Sequence, residues 1–397
     1  MIEICNKEKC TGCWACVNKC PKQCITMKVG DKLGHLYPEI DSSVCIDCRL
    51  CEKICPANNP IEVNQPLIAY AGWDKNIAEY QSSTSGGAAS ALSRFIIRQG
   101  GVVYGCAMQK GLNVHHIRIT NEDELFLLKG SKYVQSKMEH TYQEAFNDLK
   151  SGKKVLFIGT PCQVAAMKKI AGKWSSQLYT VDLICHGVPS LDYLQKYAKE
   201  KVGDISNVIA SFRSSDGMYL LLLLLLLLPN GDVKELYSSN LWQERYKDIY
   251  FNSFMDGFTY RPSCYSCPYA NRSRVSDITI GDFWGLGMEE IFSYSHPYGC
   301  SVLLPLTVKG HELLRGIQDE FNLYQRNVDE AIKGNSQLRH SVKKTRIITL
   351  FSYLHPIIGI SNAYHLCVVN KRIVQAYYRI RASLSITVKT VISKCKR

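Results

Sequence analysis

Eight cysteines in two matching runs carry the clearest chemistry in this chain. Cys10, Cys13, Cys16, Cys20 and Pro21 form the first run; Cys45, Cys48, Cys51, Cys55 and Pro56 repeat it 35 residues later. Both read C-x2-C-x2-C-x3-C-P, the spacing of bacterial-type iron–sulfur domains. A cubane cluster takes four soft thiolates around one metal–sulfide core. Three close cysteines on a tight loop wrap three irons, and the fourth ligand crosses over from the other run. The crossing assigns Cys10, Cys13, Cys16 and Cys55 to one [4Fe-4S] cluster, and Cys45, Cys48, Cys51 and Cys20 to the second. Pro21 and Pro56 turn the chain after each crossing ligand. Thr11-Gly12 lets the first loop pass close to the metal. Zinc sites come as separated ligand pairs, which a repeated three-plus-one run does not suit.

Residues 1–60 resemble the two-cluster ferredoxins on these motifs. The remaining length is enough for one or two further domains with a sizeable core. Apolar residues make up 46% of the chain and charged residues 21%, a globular composition. Eighteen cysteines in a secreted protein would suggest disulfides. The start, Met1-Ile-Glu-Ile-Cys5, has no apolar signal core, so a reducing cytoplasm and metal-bound thiolates are expected. No apolar run reaches the roughly 20 residues of a membrane span. The formal charge is +13, yet His340 onward holds eleven Lys or Arg and no Asp or Glu, leaving +2 for the rest. The basic character belongs to a tail, which argues against a nucleic-acid partner.

The elements that must position further chemistry follow a linker at residues 57–66. Ser82–Gly87 leads into a helix over Ala88–Arg98, stopped by Gly100-Gly101, and Val102–Cys106 reads as a strand. Val155–Gly159 is a second strand. Thr160-Pro161-Cys162-Gln163 then opens a helix to about Ile170, with a capping box and proline at the first helical position. Tyr179–Ile184 is a third strand, followed by a turn and a helix capped by Ser190. Strand, turn and helix in alternation predict an α/β core with parallel strands. From Ser211, nine leucines (Leu220–Leu228) and a turn at Asn230-Gly231 predict a hairpin whose leucine run is a buried strand. Asp277–Asp282 reads as a strand ending in a tight turn.

Outside the ferredoxin runs, Ser83-Thr84-Ser85-Gly86-Gly87 at a helix start is a candidate phosphate cradle or a simple cap. Cys162 stands in the first turn of a helix, where a thiolate is favoured. Cys185 follows a neighbouring strand, so parallel strands bring both cysteines to one sheet edge. Cys264 and Cys267 offer two more thiolates. The four make either a third cluster site, or two buried cysteines beside a C-x-x-C that binds zinc or nothing.

The ordered set Ser83–Gly87, Gly130–Ser136, Gly159–Gln163, Asp182–Gly187, Cys264-x-x-Cys267-Pro and Asp277–Trp284 resembles the family of coenzyme F420 hydrogenase/dehydrogenase beta subunits over roughly residues 1–330. The family consists of flavoproteins that bind FAD beside an iron–sulfur cluster. The resemblance implies flavin contacts from Ser83, Thr84, Ser85, Gly86, Gly87, Lys132, Tyr133, Gln135 and Ser136. It implies a third [4Fe-4S] cluster on Cys162, Cys185, Cys264 and Cys267, with Asp282 as a reserve ligand. The leucine run and the basic tail depart from the family pattern.

The expected architecture is α/β (α+β). A small ferredoxin domain (1–60) precedes a mixed-sheet flavin domain (67–330, in parts 67–150 and 151–330) and a basic helical tail (331–397). The expected function is an iron–sulfur flavoenzyme: FAD exchanges hydride with a carrier such as coenzyme F420 and passes single electrons through the clusters. Lys132 would stabilise charge on the flavin and His186 relay a proton, or His186 is a turn histidine bonded to backbone. The alternatives are a non-catalytic electron-relay subunit of a larger complex and a reductase in polysaccharide-precursor synthesis. The tail is a candidate for docking a partner protein or the inner membrane face.

Overall fold

The computed structural model describes residues 3–213, 220–240 and 248–369. The two cysteine runs fold alike. Helices Ala15–Lys19 and Leu50–Ile54 each start after a residue in the left-handed region, Trp14 (φ 66°) and Arg49 (φ 55°). Each ends at the fourth, extended cysteine of its run, Cys20 or Cys55, where the following proline forbids continuation. A short hairpin of β1 (Ile25–Val29) and β2 (Leu36–Ile40) lies between them, with Ile25 opposite Ile40.

The body contains β3 (Ala69–Asp74), β4 (Val102–Gln109), β5 (Asn113–Ile119), β6 (Val155–Gly159), β7 (Leu178–Leu183), β8 (Val208–Arg213), β9 (Leu220–Leu227), β10 (Val233–Asn240), β11 (Ile278–Asp282), β12 (Ser301–Pro305) and β13 (Phe321–Arg326). Eight of them form one mixed sheet in the order β13-β3-β12-β11-β7-β6-β4-β5. The central strands β11, β7, β6 and β4 are parallel; the other pairings are antiparallel. Gly159, Leu183 and Asp282 therefore end their strands on one edge, where open α/β sheets bind ligands.

Two-residue periodicity sorts each strand between two cores. Val155 and Phe157 face helices Thr141–Lys150 and Pro161–Ala171, while Leu156 faces helices Ala88–Arg98 and Val308–Ile317. Cover on both faces explains why these strands read as unbroken apolar runs. The capping box of Thr160 and Gln163 is present, and Ser190 accepts from Tyr193 N at 3.0 Å.

Cys13, Ala15 and Ile54 of the ferredoxin unit enter the same core as Tyr104, Phe157 and Val164. Asn18 Nδ2 donates to Glu139 O (2.7 Å), and His35 Nε2 meets Val188 O (3.1 Å). The module is thus built into the body. The leucine run is β9, paired with both β8 and β10, and Leu222 and Leu224 are buried at alternate positions. The turn at Asn230-Gly231 is present, with Gly231 at φ 89°.

The expected tail boundary at residue 331 falls inside helix Val328–Gly334. Much of the tail is core: Phe351 of helix Arg346–Ile358 packs on Phe258 at 5.2 Å, and Ala363 and Cys367 join the same cluster. The most basic stretch, 370–397, lies outside the described residues. Among the described residues no helix is long and apolar enough to cross a membrane.

Candidate redox site

Two recesses sort the ferredoxin cysteines. Cys10, Cys13, Cys16 and Cys55 line one of about 330 Å³. Cys20, Cys45, Cys48 and Cys51 line another of about 330 Å³. These are the sets that the crossed spacing predicts. Among the described residues no three His, Cys, Asp or Glu side chains converge tightly enough for a single metal ion. A zinc ion needs its thiolates about 2.3 Å from one point. In a cubane each thiolate binds its own iron, so the ligands surround a recess instead.

Each recess holds a fifth cysteine that motif spacing does not reveal. Cys5 lies in the first, where its hydrogen bonding lowers Cys10 to about 6 and Cys55 to about 7. Cys24 lies in the second, 3.4 Å from Cys20. A short apolar cluster including Cys16, Cys24, Cys51 and Cys55 joins the two recesses.

Cys162, Cys185, Cys264 and Cys267 form a further buried set, and burial raises all four thiols. Secondarily, Cys185 feels Cys162 and Cys267, and Cys264 feels Cys185, Cys267 and Cys162. Thiols that raise one another need a cation or metal to ionise together. The first recess is adjacent: Cys13 feels Cys162, and Tyr269 feels Cys162, Cys13, Cys267 and Cys55. The third set is therefore a neighbour of the first recess.

The two implied flavin segments meet at Thr84 and Ser131, whose Oγ1 and Oγ are 3.2 Å apart. Arg213 donates to the Tyr133 hydroxyl (3.3 Å) and to Asp282 Oδ2 (2.7 Å). Arg213 is buried, and among the described residues its Nε and Nη2 have no hydrogen-bond partner. Gly87 (φ 85°) begins helix Ala88–Arg98 with no side-chain cap, and Ala88 is buried. Free amides at a helix start and an orphaned guanidinium both suit an anion. This is the donor set that a dinucleotide phosphate requires, so the residues fit a flavin nucleotide.

Other expected contacts have protein partners. Ser83 Oγ donates to Glu79 O (2.7 Å), and Gly86 packs where any Cβ would strike Gly72 O. Lys132 spends its ammonium protons on the carbonyls of Cys106 (3.0 Å), Leu128 (3.0 Å) and Lys129 (2.7 Å), and burial lowers its pKa. It holds the loop before Tyr133 and has no proton left for a flavin. Gln135 Nε2 donates to Thr11 O (2.9 Å) of the ferredoxin loop. Ser136 contacts His116 Nδ1 (3.0 Å) and Gln163 (2.9 Å). Gln135 and Ser136 also line a groove of about 860 Å³ between the ferredoxin unit and the body. His186 Nδ1 meets Gln337 Nε2 at 2.8 Å, a side chain where backbone was the expected alternative. Asp282 is paired with Arg213 and is not spare for metal. Arg213 escaped sequence reasoning because Ser211-Phe-Arg carries only a strand signal.

Residues 152–331 match the family described as coenzyme F420 hydrogenase/dehydrogenase, C terminus of the beta subunit, and residues 9–59 match the 4Fe-4S dicluster domain. The F subunit of F(420)H(2) dehydrogenase from Methanosarcina mazei is 21% identical over 194 residues, covering 47% of this chain and 55% of that protein. The chain thus spans about half the length of that relative. The I 2 subunit of NADH-quinone oxidoreductase from Geobacter metallireducens is 39% identical over 57 residues, 13% of this chain and 44% of its own. A solved chain of the F420-reducing [NiFe] hydrogenase complex of Methanosarcina barkeri superposes with TM-score 0.44 and 17% identity, over 69% of this chain and 91% of that one.

Proposed function

Because the chain belongs to the family of coenzyme F420 hydrogenase/dehydrogenase beta subunits through residues 152–331 and carries a 4Fe-4S dicluster domain at residues 9–59, we propose that it is an iron–sulfur flavoprotein oxidoreductase. It moves electrons between a hydride carrier, coenzyme F420 or a similar molecule, and one-electron acceptors. The observation that carries this reading is the pair of ferredoxin recesses with a third set of buried cysteines beside the first, at the sheet edge that also carries the Tyr133–Arg213–Asp282 network. A bound FAD supplies the exchange of a two-electron hydride for single electrons that no side chain here can perform.

The chain's own residues bind and orient. Arg213 and the start of helix Ala88–Arg98 hold the flavin phosphates. Asp282 fixes the guanidinium plane, and Tyr133 braces it through its hydroxyl. Cys162, Cys185, Cys264 and Cys267 hold a third cluster between flavin and ferredoxin module. Burial keeps His186 below its usual range, so it is neutral at pH 7. With Gln337 donating to Nδ1, its proton sits on Nε2.

The test is iron, sulfide and flavin content of anaerobically purified protein. About twelve irons and one FAD per chain are expected for three clusters. About eight irons without flavin would reduce the chain to its ferredoxin module and an unexplained body. Clusters and flavin without turnover by any hydride carrier would make the chain an electron relay within a larger complex.

A further inference from the structure

Among the described residues five arginines are buried: Arg94, Arg213, Arg261, Arg274 and Arg326. Four have a carboxylate beside them: Arg94 has Asp74, Arg213 Asp282, Arg274 Asp182 and Arg326 Glu330. Arg261 is fully buried, yet among the described residues no carboxylate oxygen lies within 4.0 Å of it. Its Nε donates to Cys10 O (2.7 Å), Nη1 to Gln135 Oε1 (3.1 Å), and Nη2 to Leu36 O (2.5 Å). Nη2 also points at Cys10 Sγ (3.8 Å), and the guanidinium lies over the Tyr37 ring at 4.3 Å. Asp31, the carboxylate of this region, is held by His35 (2.9 Å) and the Tyr37 hydroxyl (3.2 Å).

A lone buried cation costs several kcal/mol unless an anion accompanies it. Asp31 feels the Arg261 charge from beyond 4.0 Å, and the anion that Nη2 itself faces is the Cys10, Cys13, Cys16 and Cys55 set. Arg261 also stands three residues before Cys264, and its charge favours the thiolate of Cys162. It therefore lies between the first recess and the third cysteine set. Among the described residues the second recess has no buried cation: Lys22 and Arg49 on its rim are exposed, where solvent screens them, and Arg49 is paired with Asp47 at 3.6 Å.

We propose that Arg261 is the counter-ion of the cluster held by Cys10, Cys13, Cys16 and Cys55, and makes it the more easily reduced of the two ferredoxin clusters. This cluster is then the one that exchanges electrons with the Cys162, Cys185, Cys264 and Cys267 set. The inference rests on the proposed cluster reading. Each exchange moves one electron and no proton, since the guanidinium stays charged. The electron comes from, or goes to, the hydride carrier and one-electron acceptor of the proposed function. Reduction adds one negative charge to the cluster, and a fixed cation in a low-dielectric site stabilises it. Hydrogen bonds to cluster sulfur act in the same direction.

The experiment is a potentiometric titration of the reconstituted full chain followed by paramagnetic resonance, with iron and sulfide assayed, for wild type, Arg261→Gln and Arg261→Lys. In Arg261→Gln one reduction wave should move to lower potential by about tenfold in its equilibrium constant, ~59 mV for a one-electron couple. The wave of the cluster on Cys20, Cys45, Cys48 and Cys51 should stay, and that of the third set should move less. Arg261→Lys keeps the charge and should hold that wave within about twofold of wild type. It decides the matter alone if the neutral variant takes up no iron, a tenfold shift there sinking the proposal. Unmoved waves at full iron content, or all waves moving together, would also overturn it. Absence of any cluster signal in wild type would instead overturn the cluster reading.

Discussion

A methyl group on Gly12 would lie 2.6 Å from Arg261 Cζ. Gly12 also sits at φ 62°, where side chains are strained. A residue chosen for close approach to metal is therefore needed as much for an arginine 249 positions away. Gly12→Ala should destabilise the folded chain by about 1–3 kcal/mol through strain and displacement of the guanidinium. The check is the midpoint of chemical denaturation. A midpoint equal to wild type would show that the loop relaxes freely.

Removing Arg213's charge should release flavin and spare iron. Charge-assisted hydrogen bonds contribute about 1.5–3 kcal/mol, so Arg213→Gln should weaken FAD binding by roughly tenfold to a hundredfold. Flavin fluorescence titration against the variant reads this directly. An unchanged dissociation constant would place the phosphates elsewhere.

The local parts of this design were legible and the convergent parts were not. Val155–Gly159 and the Thr160/Gln163 capping box read correctly because both are set by neighbours within a few residues. The two cysteine recesses follow from spacing, since a metal–sulfide core dictates ligand order along the chain. Arg213 and Arg261 carry no local signal; each acquires its role from strands and loops far away in sequence. Strands β12 and β13 were missed for a related reason: they flank β3, which begins more than 200 residues earlier. The Lys132–Ser136 segment was recognised as important, but its polar groups divide between the sheet edge and the ferredoxin loop.

The pair Arg274–Asp182 is almost wholly buried at 3.0 Å, and Thr279 also donates to the same carboxylate oxygen. Breaking such a pair strands one charge, at a cost of about 3–5 kcal/mol. Asp182→Asn should therefore lower the denaturation midpoint strongly with an unchanged slope. Lys28–Glu39, both exposed at 3.1 Å, is the contrast: Glu39→Gln should change stability by less than about 1 kcal/mol.

Cys24 lies 3.4 Å from Cys20, an expected ligand of the cluster in the second recess. Once oxygen strips that cluster, the two thiols are placed to give up two electrons and two protons to the oxidant and join. Peptide mapping of air-exposed, non-reduced protein should find a Cys20–Cys24 cross-link. Its absence would mean that the backbone holds the sulfurs out of bonding geometry. Cys24→Ser should refill the cluster without added reductant.

Acid should destabilise the protein well above the carboxylate range, through His116. The ring is buried, stacked on Phe157 at 5.5 Å, with Nε2 at 3.0 Å from Ile158 O and Nδ1 at 3.0 Å from Ser136 Oγ. Burial pulls its pKa down to about 4 from 6.5. The unfolded chain therefore takes up the proton first as pH falls. The stabilising contribution is complete above pH 6.5 and is lost progressively toward pH 4. At 1.36 kcal/mol per unit this gap corresponds to roughly 3 kcal/mol. His355, also lowered to about 4 by burial, adds to the same slope. His116→Gln cannot take up that proton, so its denaturation midpoint should fall less steeply between pH 6.5 and 4 than that of wild type. Cluster absorbance followed in the same samples separates unfolding from iron loss. Parallel pH profiles for the two proteins would remove His116 from the account.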